Sequence, residues 1–221
     1  EPMHAEGRKL PSHELTYARR RDMVLFGHLE PGQPVTIQGL VGDLDAGMTP
    51  VREAIRRLTA EGALLPQGNR RVTVPRLNAS TLEQLAFARL TIEPKLAELA
   101  AERLTPELIG RLVAIDDQVN AAIRAGDIPA YLQSNHAFHF ALYEASGAAV
   151  LTDMARSLWL RFGPSLRVVA GLAGAASLTD NHATALAAMR AGDAGGMVEA
   201  MRRDIAQGVD EVRAALASGA V

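Results

Sequence analysis

Apolar positions recur at helical spacing along most of this chain and at strand spacing only once, in a short stretch near residue 70. Between residues 48 and 62, Val51, Ala54, Ile55 and Leu58 fall at i, i+3, i+4 and i+7, the buried stripe of an amphipathic helix. Thr49-Pro50 reads as its N-cap and first helical position, where a missing N–H costs nothing, and Gly62 reads as its stop. A helix is predicted before it at about 13–27, then a turn in HLEPGQPV (28–35). Thr36 can cap a short helix bearing Ile37, Leu40, Val41 and Leu44, joined to the next by a tight turn at Asp45-Ala46-Gly47. Two β-capable runs, Ala63–Leu65 and Val72–Val74, flank a Gly-Asn turn and predict a hairpin. Three short helices and a hairpin give a winged helix-turn-helix outline.

From Asn78 onward only helical periods remain. Ser80-x-x-Glu83 reads as a capping box opening a helix to about Arg103. Thr105-Pro106 opens a second helix that stops at Gly126, and Asp127 caps a third ending near Gly147. A fourth carries Leu151, Met154, Leu158 and Phe162, with Pro164 kinking or ending it, before a small-residue break in AGLAGAAS (170–177). Helices at 179–191 and 193–216 complete the pattern. The expected fold is mainly α: a winged helix-turn-helix with a small β-hairpin wing over 11–76, then an antiparallel helical bundle over 79–221, joined at VPRLN (74–78).

Composition sharpens this picture in two places. With no cysteine among 221 residues, disulfides, thiol nucleophiles and thiolate metal sites are excluded. No secretory signal or membrane-length apolar run is visible, so a cytoplasmic protein is expected. The net charge of −2 gives no reason to expect nucleic-acid binding, but its distribution does differ along the chain. Residues 1–76 hold 11 Lys/Arg against 9 Asp/Glu, and residues 77–221 hold 12 against 16.

The charged side chains suggest two sites. On the 48–62 helix, Thr49, Arg52 and Arg56 project away from the buried stripe, while Glu53 and Arg57, four apart, are placed to pair. Arginine donates bidentately to guanine, and threonine can touch a thymine methyl or a phosphate. Arg70 and Arg71 at the hairpin tip would reach backbone or minor groove. Two arginines alone describe any solvated face; the tight turn and short helix before them and the basic hairpin after them favour DNA. In the bundle, Asn135 and His139 share one helix face, and His182 and Asp204 lie on later helices. Spacing alone leaves these histidines equally readable as core residues. His136, about 100° around the helix, suits solvent or a helix contact. Arg89 can clamp an acidic ligand or pair with Glu93 at i+4. No His-Glu-x-x-His, Gly-x-Ser-x-Gly or phosphate-binding glycine loop is present, which argues against an enzyme.

The segments GHLEPGQ (27–33) and TPVREAIRRLTAEG (49–62) resemble the DNA-binding domain of the GntR family of bacterial transcription regulators. ARLTIEPKLAELAAER (88–103), NHAFHFALYEASG (135–147) and NHATALAAMRAGD (181–193) resemble the FadR-like subfamily and its helical FCD ligand-binding domain. The resemblance implies a homodimer that binds a two-fold operator, most often as a repressor, under control of a small acidic metabolite. The family's recognition helix usually begins Ser-Arg-x-Pro-Val-Arg; here Met48 replaces the first arginine and Arg52 matches the second. Gln38 falls where the preceding helix often contacts DNA, and Arg71 stands near the usual wing glycine. The resemblance also implies a divalent metal held by Asn135, where Asp is frequent, His139, His182, and Asp204, where a last histidine is usual. This set keeps one carboxylate but is harder than the usual one, which tilts it towards zinc, manganese or magnesium. Arg89 matches a family arginine suited to an acidic effector, with Arg161 and Arg167 as weaker candidates. The expected function is thus an effector-controlled DNA-binding regulator. Two alternatives stand: a metal-dependent enzyme on the bundle, and a regulator whose effector site has decayed.

Overall fold

A computed structural model describes residues 12–26, 29–42, 47–173 and 181–219. The first unit contains α1 (Ser12–Leu25), β1 (Pro34–Thr36), α2 (Ile37–Gly42), α3 (Met48–Ala60), β2 (Leu65–Gln67) and β3 (Arg71–Thr73). Helix α3 buries Val51, Ala54, Ile55 and Leu58, as its spacing predicts. It begins at Met48, with extended Gly47 as an N-cap that offers no side-chain bond. Thr49 and Pro50 therefore sit inside the first turn, where the N–H groups have no intrahelical acceptor and proline is still tolerated. Thr36 caps α2 as expected, its Oγ1 accepting the Gly39 N–H at 3.0 Å. The expected turn at Asp45-Ala46-Gly47 lies, apart from Gly47, outside the described residues, as does Leu44.

The sheet departs from expectation in two ways. The first hairpin strand lies at Leu65–Gln67 and not at Ala63–Leu65, because the buried Ala63 and Leu64 are turned back on α3, both N–H groups donating to the Leu58 carbonyl. A third strand, β1, lies in the segment read as a turn. The order is β1-β3-β2, antiparallel throughout, with Val35 and Pro66 both opposite Val72. Three residues give too few alternations to show a period of two, and Pro34 takes the first position of an edge strand, where proline is tolerated. At the hairpin tip Asn69 and Arg70 have φ of 64° and 57°, the left-handed region that asparagine visits and arginine rarely does.

Among the described residues, six helices follow: α4 (Ala79–Ala101), α5 (Pro106–Ala125), α6 (Ile128–Ala145), α7 (Ala149–Ala173), α8 (His182–Ala191) and α9 (Ala194–Ala217). Thr105, Asp127 and Asp193 cap their helices with side-chain oxygens. The Ser80–Glu83 capping box does not form. Asn78 takes the cap instead, its Oδ1 accepting the Thr81 N–H at 2.8 Å, and Glu83 reaches across to Arg213 of α9. Pro164 does not end α7; it is buried within a helix that continues to Ala173, where packing against neighbours offsets the single lost backbone bond. The expected start of the next helix at Thr179 lies outside the described residues.

α4 packs along α9 and against α7 and α6, α5 packs on α6, and α8 packs on α9. Helix α1 packs on both α3 and α7, so the two units meet through it. One apolar cluster runs from Val24, Leu25 and Leu58 in the first unit to Leu96, Phe138 and Trp159 in the bundle. A second cluster fills the other end of the bundle around Leu82, Val119, Phe162 and Val212. The absent side chain of Gly163 lets α7 approach α1: a Cβ there would lie 3.2 Å from the Leu25 carbonyl oxygen. At the same seam Arg161 Nε and Ser157 Oγ donate to the Glu61 carbonyl, at 3.2 and 3.4 Å, where α3 ends.

Candidate metal centre and nucleic-acid interface

The start of α3, the start of α2 and the hairpin tip surround a surface cavity of about 160 Å³. It is lined by Thr36, Ile37, Gln38, Met48, Arg52, Asn69 and Arg70. Gln38, Arg52 and Arg70 are thus brought together, with Thr49 exposed beside them. Arg56 and Arg71 are exposed but lie outside this cavity. The expected Glu53–Arg57 pair does not form. Glu53 pairs with Arg56, Oε1 to Nη2 at 2.6 Å, and Arg57 turns to Glu61 and Glu14. The face of the Tyr17 ring decides this, since the Arg57 guanidinium lies 3.7 Å above its centre. Among the described residues Arg52 makes no ion pair, so it is the arginine of α3 that meets no competing carboxylate. Asn69 was not anticipated; the sequence signal was the Gly-Asn turn itself, since asparagine tolerates the left-handed conformation.

The second site is built by α6, α8 and α9. His139 Nε2 lies 2.9 Å from Asp204 Oδ2, and His182 Nε2 lies 3.9 Å from the same oxygen. One ligand atom from each of the three residues lies within 4.8 Å of the others. Asn135, one turn before His139, is buried and lines a small cavity together with His139, Asp204 and Arg89.

The far nitrogens of both imidazoles are tied. His139 Nδ1 meets Tyr143 Oη at 2.9 Å, and that hydroxyl donates to Glu93 Oε2 at 2.6 Å. Burial, then the nearby Glu93 charge and hydrogen bond, hold Tyr143 well above the usual phenol range, so it stays a donor. Its one hydrogen goes to Glu93, so His139 Nδ1–H donates to that hydroxyl, and Nε2–H on the other side of the ring donates to Asp204; a cation at the centre would take the place of that second hydrogen. His182 is held alike, by Asp116 Oδ1 at 3.2 Å from Nδ1 and by stacking on Phe138 at 3.8 Å between ring centres. Asp116 was missed. Its signal was a carboxylate on the buried stripe of α5, one turn from Leu112 and Val119. Burial alone would raise the Asp204 carboxyl. The His139 hydrogen bond, the positive charges of His139 and His182, and the Asn181 N–H outweigh it and hold Asp204 at about 2. Two imidazole nitrogens that converge on one ionised carboxylate oxygen, each ring fixed from behind, fit a divalent cation once the hydrogens facing it are released.

Arg89 pairs with Glu93, Nε to Oε1 at 2.5 Å, and its guanidinium lies over Trp159 and Phe162. The internal pair is therefore formed, while Arg89 also lines the cavity. That cavity holds about 30 Å³, room for an ion or a water molecule. Arg161 and Arg167 do not line it: Arg161 grips the Glu61 carbonyl, and Arg167 lies 3.7 Å from Glu30.

Tyr143→Phe should lower stability by about 1–3 kcal/mol, because it strips a donor from buried Glu93 and an acceptor from buried His139. It should also weaken zinc or manganese binding about 10–100-fold by calorimetric titration, through loss of the imidazole's orientation. Unchanged metal affinity in a destabilised variant would make the tie purely structural.

His136 settles as a helix contact. It stacks on Phe140 at 4.4 Å and meets Phe26 and Trp159 edge-on, so it joins α1 to the bundle. Burial, then the charges of Arg21, His139 and Arg156, lower it from 6.5 to about 3. Below pH 6.5 the unfolded chain gains a proton there that the folded protein refuses until about pH 3. Stability should therefore fall with pH across that window, by about 1–2 kcal/mol down to pH 5. Urea melts should show a shallower dependence for His136→Leu; equal slopes would contradict the assignment.

A winged helix-turn-helix head joined to an all-helical domain is the architecture of a bacterial transcription regulator. Residues 7–74 match the bacterial regulatory proteins of the gntR family, and residues 84–207 match the FCD domain. The chain belongs to the GntR family and carries an FCD domain. It is 31% identical over 188 residues to the HTH-type transcriptional regulator McbR of Escherichia coli strain K12, covering 82% of this chain and 85% of that protein. It is 31% identical over 138 residues to the Nta operon transcriptional regulator of Aminobacter aminovorans, covering 62% of this chain and 64% of the relative. The solved structure of E. coli McbR/YncC superposes with a TM-score of 0.88 at 26% identity, covering 93% of this chain and 98% of that one. A GntR regulator from Rhodococcus sp. RHA1 shares the fold, with a TM-score of 0.74 at 18% identity over 92% of this chain and 98% of that one. The protein is a transcription regulator and not an enzyme. Among the described residues, no helix is long and apolar enough to cross a membrane.

Proposed function

We propose that this regulator is a cytoplasmic homodimer that represses transcription from a two-fold operator and answers to a small carboxylate-bearing metabolite. In this reading residues 11–76 bind DNA through Gln38, Thr49, Arg52, Arg56, Arg70 and Arg71. Residues 79–221 carry the dimer contact and the effector site. Asn135, His139, His182 and Asp204 hold a divalent metal, zinc, manganese or magnesium, and Arg89 faces the effector. The observation that carries the effector site is the aim of His139 Nε2 and His182 Nε2 at one oxygen of Asp204. A bound metal would supply a Lewis acid for an effector carboxylate.

The cavity supports a conformational mechanism. At about 30 Å³ it is too small for a metabolite, so an effector must displace a wall. Trp159, Phe162 and Leu166 of α7 form one wall, and the same helix grips the end of α3 through Arg161 and Ser157. A ligand that shifts α7 biases the position of the recognition helix, and effector and DNA affinities are then reciprocally coupled.

The test is fluorescence anisotropy of the gene's own upstream duplex at stated salt, with each metal and a panel of small di- and tricarboxylic acids. At least one acid should shift operator affinity about 5–150-fold, the usual span of such coupling. Arg161→Ala should keep acid binding and reduce the shift. Operator binding indifferent to every acid, with metal bound, would leave a regulator without a working effector site.

A further inference from the structure

We propose that Met48 is a specificity-determining residue that reads the C5-methyl group of a thymine, on a base pair beside the guanine read by Arg52. This rests on the proposed placement of α3 in the major groove. Met48 is the first residue of α3; it is 38% exposed, and with Ile37 it gives an apolar part to a face otherwise made by Thr36, Gln38, Arg52, Asn69 and Arg70. It does not stand on open surface but forms part of the wall of the cavity it shares with Gln38, Arg52, Asn69 and Arg70.

The chemistry narrows what such a wall can recognise. A thioether donates no hydrogen bond and accepts only weakly, so Met48 cannot read the acceptor edge of guanine or distinguish cytosine from adenine by their amino groups. The apolar group that base edges offer in the major groove is the thymine methyl. Gln38, on the same cavity, has the amide that pairs bidentately with adenine N6 and N7, so the two side chains suit opposite bases of one A·T pair. Met48 and Arg52 are four residues apart, roughly 6 Å along the helix axis, against roughly 3.4 Å between base pairs. The thymine therefore falls one or two base pairs from the guanine of Arg52. Arg70 is cationic and Asn69 polar at the cavity rim, which suits them to the adjoining phosphates.

The test starts from duplexes selected by the full-length protein out of a random-sequence pool. The selected half-site should contain a thymine one or two base pairs from an invariant guanine. Replacing that thymine with deoxyuridine removes one methyl group and nothing else. Binding to wild type should weaken about fourfold per half-site, the equivalent of about 0.8 kcal/mol for one buried carbon. Met48→Ala should bind the thymine and deoxyuridine duplexes equally, and Met48→Arg should select guanine there. Met48 is exposed, so neither variant threatens the fold, and thermal melts will show this. Selective wild-type binding that ignores the methyl group, or a methyl effect that persists in Met48→Ala, overturns the assignment while leaving the operator reading intact. Failure of wild type to select any sequence overturns both.

Discussion

Glu93→Ala should cost the protein about 3–5 kcal/mol of folding stability, as much as truncating a buried aromatic side chain of the core. Glu93 is fully buried and receives four donors: Arg89 Nε and Nη2, Tyr143 Oη and Trp159 Nε1. Removing it leaves a guanidinium, 3% exposed and covered by Trp159 and Phe162, with no counter-charge. It also leaves the buried hydroxyl and indole donors without their acceptor. Dehydrating an unpaired charge costs far more than the pair contributes when intact, so the double variant Arg89→Met/Glu93→Leu should recover much of the loss. Urea denaturation of wild type, both single variants and the double variant, without added metal, measures this. A loss below about 1 kcal/mol for Glu93→Ala would show that water reaches Arg89. The same pair bears on effector binding: an acid that engages Arg89 must compete with Glu93 or join it.

Arg52→Ala should weaken operator binding by at least about 30-fold. A bidentate arginine–guanine contact carries about 1–3 kcal/mol of discrimination, and a two-fold operator engages two heads, so the total reaches about 2–6 kcal/mol. Arg52 meets no carboxylate among the described residues, so none of this is offset by breaking an ion pair. Arg56 differs. Its guanidinium is held bidentately by Glu53, at 2.6 and 3.1 Å, and must leave that partner to meet DNA. Arg56→Ala should therefore cost less than Arg52→Ala, within about tenfold, in the same anisotropy assay at fixed salt. Equal binding by wild type and Arg52→Ala would remove α3 from the major groove.

The helices were readable because each is specified within a few turns of its own sequence. The stripe Val51, Ala54, Ile55 and Leu58 repeats at the helical period, and Thr105-Pro106 and Asp127 carry their caps beside them. Local signals failed where two residues competed for one role. Asn78 and Ser80 both offered an oxygen to the first turn of α4, and Asn78 took it. Arg56 and Arg57 both stood within reach of Glu53, and the Tyr17 ring, from another helix, drew Arg57 away. Strand β1 went unread because its pairing partner β3 lies almost forty residues on, and three residues carry no period.

The candidate site divides the same way. Sequence alone determined the all-helical bundle, the exposed arginine face of α3, and the resemblance that singled out Asn135, His139, His182 and Asp204. Tertiary structure decided what surrounds them. Tyr143 bonds Glu93 across 50 residues, Asp116 reaches His182 across 66, and Arg161 holds the end of α3 across 100. A helix period reports only which face is buried, a property each segment carries in itself. Which buried polar group satisfies which other depends on how those faces meet, and no local pattern encodes that.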